Sequence, residues 1–133
     1  MRVRLPIVAT KRIAKLLLVL VISACARNTE PYYGVWTGEA FYLEMNYEFS
    51  AKKFEASTIT QNGLRVGGGS GTYIADDGRL TMHYDRKYVF DNRLNRGSWE
   101  RDDKDIEVTF GVEGDRMRFD YVGTSQSIEL TRQ

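Results

Sequence analysis

The chain has 133 residues, with 19 Lys and Arg against 18 Asp and Glu, one His and one Cys. That length carries one domain with a single core and leaves no room for a second of ordinary size. A lone cysteine excludes a disulfide scaffold, and dispersed, nearly balanced charge excludes the basic footprint of a nucleic-acid binder.

The first fifteen residues hold Arg2, Arg4, Lys11, Arg12 and Lys15 and no acid, and an unbroken apolar run follows from Leu16 to Ile22. Charge followed by a short apolar run is the order of a secretory signal peptide. A membrane-spanning helix needs about 20 apolar residues, so this run is too short to cross the bilayer and residues 1–24 are expected to be removed. Their loss takes five basic side chains and leaves 109 residues with 14 basic against 18 acidic groups, a mildly acidic domain.

Ile22-Ser23-Ala24-Cys25 resembles the lipobox of bacterial lipoproteins, an aliphatic residue and two small ones before cysteine. The resemblance implies cleavage after Ala24, a diacylglyceryl group on the Cys25 sulfur, and the membrane as a partner through acylated Cys25. Each buried methylene contributes about 0.8 kcal/mol, so one acyl chain holds a protein marginally and two or three hold it effectively for good. Position 26 is Ala rather than Asp, which in such lipoproteins favours the outer membrane where the envelope has two. Residues 25–31 then form a polar tether of roughly 20 Å at full extension.

From Tyr32 the chain alternates with period two. Gly34, Trp36, Gly38 and Ala40 fall on one side of a first strand; Met45, Tyr47 and Phe49 alternate with polar residues in a second; Phe54, Ala56 and Ile59 are the apolar positions of a third, after a turn at Ala51-Lys52-Lys53. Asn62-Gly63 closes it, and Gly67 to Gly71 reads as a mobile connection that could act as a flap. Thr72 to Ala75, the turn Asp76-Asp77-Gly78, and Leu80, Met82 and Tyr84 form a hairpin, because an Asp-Gly step between alternating runs is a strong hairpin signal. Tyr88 and Phe90 extend or follow that strand, and Asp91 to Arg96 reads as a loop. A short strand at Ser98-Trp99-Glu100 leads to a turn at Asp102-Asp103-Lys104. Ile106, Val108, Phe110 and Val112 follow, then a turn at Glu113-Gly114-Asp115, then Met117, Phe119 and Tyr121, and, after Gly123, a last strand with Ile128 and Leu130.

Eight or nine such strands predict an all-β domain over residues 32–133, an antiparallel up-and-down meander of about eight strands. A closed or nearly closed barrel is the natural solution because closure removes exposed edges; a two-sheet sandwich is the alternative.

Gly34-Val35-Trp36 at the head of the first strand resembles the Gly-x-Trp signature of the lipocalin and calycin barrels, and the meander is similar to theirs in strand number and order. The resemblance implies that a late arginine, Arg132, lies across Trp36. It also implies an interior able to hold a small hydrophobic ligand, in a smaller cavity because the strands are shorter.

Trp36, Tyr47, Phe49, Tyr73, Tyr84, Phe110, Phe119 and Tyr121 are the candidates to line or to fill that interior, since about eight strands enclose a space that side chains can occupy completely. His83 is the only histidine and by alternation is expected on the outer face as a surface residue, since general base work would need a nucleophile or carboxylate within hydrogen-bond reach. Asp76-Asp77 and Asp102-Asp103-x-Asp105 lack the spacing of a calcium loop, and the glycine run lacks the Lys-Ser/Thr of a phosphate loop. No metal, cofactor or catalytic residue is therefore expected. The reading is a non-enzymatic, lipid-anchored envelope protein that binds a small apolar molecule inside its barrel. The alternative is a filled barrel whose loops, especially Gly63 to Gly71 and Asp91 to Arg96, bind or inhibit another envelope protein.

Overall fold

Alternating side chains put one face of each strand inward: Leu80, Met82 and Tyr84 are buried while Thr81 and His83 between them are not, and Phe54 and Ala56 are buried while Lys53 and Glu55 are exposed. The structure, a computed structural model, describes residues 30–133. The expected signal segment 1–24, Cys25 and most of the expected tether fall outside the described residues.

Eight strands make up the domain: β1 (Gly34–Ala40), β2 (Leu43–Phe49), β3 (Lys53–Ile59), β4 (Arg65–Asp76), β5 (Arg79–Asp91), β6 (Arg96–Glu113), β7 (Arg116–Tyr121) and β8 (Ser127–Arg132). Each is antiparallel to the next, and β8 pairs back onto β1 to close an up-and-down barrel, so the sandwich alternative does not apply. The closing seam is the shortest ladder, with Trp36 opposite Arg132 and Thr37 opposite Thr131. Arg132 reinforces it: the guanidinium lies 4.3 Å over the Trp36 ring and donates to the carbonyls of Tyr33 (2.5 Å) and Pro31 (2.6 Å).

Two ends follow from this topology. The chain enters beside Tyr32 at one end, which also holds the β2–β3, β4–β5 and β6–β7 connections. That end is packed shut. Trp36 donates from Nε1 to the Tyr32 carbonyl at 2.9 Å, and the Tyr32 ring makes edge contacts with Tyr73 and Phe110 at 6.0 and 5.5 Å between centroids. Above them Phe49, Tyr73 and Phe119 pack edge to face at 5.3–6.1 Å, a geometry that adds to the hydrophobic gain of burying large rings. The other end carries the β1–β2, β3–β4, β5–β6 and β7–β8 connections.

Two sequence expectations are corrected. Gly67 to Gly71 is not a mobile connection but part of β4, paired with β3 along its length. The glycines are there for close approach: a Cβ on Gly69 would stand 2.5 Å from both the Tyr84 ring and the Arg86 carbonyl oxygen, so β4 must be bare where it passes the tyrosine. Likewise Asp102-Asp103-Lys104 is not a turn. It lies within the 18-residue β6, where the register shifts between Tyr84/Lys104 and Arg86/Arg101. Two residues, Asp102 and Asp103, there oppose the single Asp85, which is a β-bulge.

The pairing of β4 with β5 ends at Gly69 and Lys87, whereas β5 and β6 stay paired as far as Asp91 and Arg96. The upper part of that hairpin is therefore a two-stranded arm. It is braced on its outer face by Arg65, whose guanidinium lies 4.8 Å from the Tyr88 ring and 4.7 Å from the Trp99 ring, with Arg86 4.9 Å from Trp99.

Candidate functional site

The interior is filled at the closed end and hollow at the other. A cavity of about 480 Å³ opens there, walled by Met45 on β2, Ala56 on β3, Ile106 on β6 and Ile128 on β8, with Phe41 at its lip. Alternation on each strand aims these side chains inward, and the glycine run of β4 leaves the wall beside Tyr84 thin. The volume falls within the range of small-molecule sites, roughly 300–1,000 Å³.

Three tyrosines meet in the cavity. Tyr47 and Tyr84 are buried, Tyr121 is half-buried, and the Tyr47 and Tyr121 hydroxyls share a hydrogen bond of 2.9 Å. Burial pushes all three phenols above the ordinary tyrosine value of 10, reinforced for Tyr47 and Tyr84 by their neighbouring phenols. They are therefore neutral across the physiological range, polar tips on an apolar wall. Lys87, Asp102 and Lys104 line the outer part; Lys87 reaches Glu100 at 4.0 Å, and Asp102 accepts from the Asp103 backbone N–H at 2.9 Å.

The eight aromatic candidates thus separate by height along the barrel axis. Tyr47, Tyr84 and Tyr121 line the cavity. Trp36, Phe49, Tyr73 and Phe119 are buried in the packed half, where Tyr73 donates to the Ser50 carbonyl, and Phe110 sits half-buried against Tyr32 at the closed end. Met45, Ile106 and Ile128 are wall residues that the alternation places inward without marking them as a site. Lys104, in register with Tyr84, reaches the cavity by the same alternation as Ile106, whereas Lys87 and Asp102 lie beyond the register shift, which has no signature in the sequence.

His83 lies on the outer face, as its alternation predicts. Its Nδ1 stands 2.6 Å from Asp105, and its Nε2 3.4 Å from both Asp85 and Asp103. The hydrogen bond to Asp105 is the main cause that raises its pKa above the ordinary 6.5. The bulge brings these carboxylates together, but among the described residues no group is placed to hold a metal ion. Comparison with protein-family models, curated proteins and solved structures found no match.

Proposed function

We propose that this protein is a non-enzymatic, lipid-anchored barrel of the bacterial envelope that holds a small apolar molecule in the open half of its interior. The observation that carries the reading is the cavity of about 480 Å³ with aliphatic walls and three neutral phenols. Such a space favours a hydrocarbon body by burial, and a hydroxyl, carbonyl or carboxyl on that body can take a hydrogen bond from a phenol. The filled half supplies rigidity and takes no ligand.

The anchor is the acylated Cys25, with the outer membrane favoured where there are two. The eight-stranded meander and the Arg132 contact over Trp36 support a lipocalin-like reading. Titration of the full chain with a polarity-sensitive apolar fluorophore tests the cavity. Saturable binding that weakens at least tenfold in Ala56→Phe, a change that fills the wall, is expected; an unchanged affinity refutes it. For the anchor, Cys25→Ser is expected to release the protein from membranes, and undiminished retention refutes the attachment.

A further inference from the structure

The large apolar side chains that the barrel leaves in solvent gather at one end. Seven are exposed, and five of them, Phe41, Tyr42, Leu64, Leu94 and Val122, sit on the connections around the open mouth. Each of the four connections there carries at least one. The three at the closed end carry none.

Charge is distributed in the opposite sense. Residues 41–42, 60–64, 92–95 and 122–126 include one charged side chain, Arg93, whereas the shorter closed-end connections include Lys52, Asp77 and Asp115. A protein surface turned to water on all sides has no reason to lose charge and gain hydrocarbon at one pole.

The β1–β2 turn sharpens the point. Ala40 pairs with Leu43, so Phe41 and Tyr42 are the whole connection, both in the left-handed region at φ 54° and 64°. That is the backbone of a type I′ turn, for which Asn-Gly is the usual pair. Two aromatic residues take it here and hold their rings 81% and 87% exposed.

We propose that the open end is a lipid-docking surface. Phe41, Tyr42, Leu64, Leu94 and Val122 enter the boundary between headgroups and acyl chains, and the uncharged polar residues beside them, such as Gln61 and Gln126, lie among the headgroups. Aromatic side chains with a polar tip favour that boundary. At the β5–β6 tip Asp91 accepts from the backbone N–H groups of Arg93 and Leu94 and pairs with Arg96, so with Arg93 the tip is net positive, which complements lipid phosphates.

A lipid surface fits better than a protein partner. The apolar residues stand on separate tips around an opening, not in the continuous, shape-complementary patch that a rigid partner packs against, and a fluid interface conforms to such tips. Phe41 lines the cavity and also the groove beside Thr60 and Gln61, so the docking surface and the mouth are continuous. The chain enters the barrel at the opposite end, and the contact is made by residues of the barrel itself. It goes beyond ligand binding and stands without it.

The test places a polarity-sensitive fluorophore at either end of the full-length chain carrying Cys25→Ser. It is attached through Gln61→Cys at the mouth or through Ala51→Cys at the closed end. Vesicles of phosphatidylethanolamine and phosphatidylglycerol are then added. A blue shift at position 61, quenched by spin-labelled lipid, with none at position 51, is expected. Adding Phe41→Ser and Tyr42→Ser should raise the vesicle concentration needed by roughly tenfold or more, with the far-ultraviolet circular dichroism unchanged. An unshifted label at 61, equal shifts at both ends, or a shift that survives the double change with the fold intact overturns the proposal.

Discussion

Gly69 offers the sharpest test of how the barrel is built. Its Cβ position lies 2.5 Å from the Arg86 carbonyl oxygen, and 2.5 and 2.8 Å from two carbons of the Tyr84 ring. In Gly69→Ala one neighbour can turn aside only by moving a buried ring, and the other is backbone. Overpacking of this kind costs about 1–3 kcal/mol. For a domain of this size each kcal/mol lowers Tm by roughly 4–8 °C, so a fall of about 4–24 °C is expected. Gly111→Ala is the matched control, because nothing lies within 4 Å of the added carbon and the backbone there is not left-handed. A compatible Gly→Ala change stabilises by about 0.4–1 kcal/mol through the unfolded chain. Thermal unfolding followed by circular dichroism reads both. A neutral Gly69→Ala, or two glycines that respond alike, would refute the close-packed reading of β4 and restore the mobile one.

Other consequences can be read in the same way. Phe41→Asn with Tyr42→Gly gives the β1–β2 turn the residues its backbone prefers; each bulky left-handed residue costs on the order of 1–3 kcal/mol, so the double change should raise Tm, and a lower Tm would deny the turn geometry. Tyr47→Phe alone leaves the Tyr121 hydroxyl without its 2.9 Å partner, at a cost of about 1–2 kcal/mol, whereas Tyr47→Phe with Tyr121→Phe should cost less than the sum of the single changes; a double-mutant cycle measures this, and additivity would break the pair. Arg132→Ala removes the cation over Trp36 and two carbonyl contacts at the seam, and should lower stability in urea by about 1–3 kcal/mol. His83 has a raised folded pKa, so its contribution is fully present below about pH 6.5 and is lost as pH rises through the folded value. His83→Gln should flatten the stability profile in that window, and an identical profile would refute the coupling.

Much of the fold was legible because period-two alternation and turn chemistry agree. Leu80, Met82 and Tyr84 face inward, and Asp77-Gly78 turns the β4–β5 hairpin with both residues at positive φ, as an Asp-Gly step requires. Alternation fails where a strand departs from its period. Asp102, Asp103 and Lys104 read as a turn because three polar residues in a row look like one, yet hydrogen bonds to β5 carry them through as a bulge. Five residues that include four glycines read as a linker, since nothing local reveals that the Tyr84 ring will lie against them. The Phe41-Tyr42 turn has no turn residue to announce it.

The candidate site was legible in direction and not in depth. Alternation separates inside from outside, so all eight aromatic candidates belong to the interior strand faces. Whether an inward ring fills the barrel or borders a void depends on its height along the axis. Strand pairing sets that height, which puts Phe49 beside Phe54 in the packed half and Tyr47 two residues higher at the cavity.

The claim that the open half takes an apolar molecule while the closed half stays filled can be tested on the methionines. Met45 lines the cavity, whereas Met82 and Met117 are buried in the core and do not line it. With methyl-labelled methionine, a medium-chain alcohol titrated into the protein should shift the Met45 resonance saturably and leave Met82 and Met117 in place. A Met45 signal that stays fixed at saturating probe, or three signals that move together, would contradict the account.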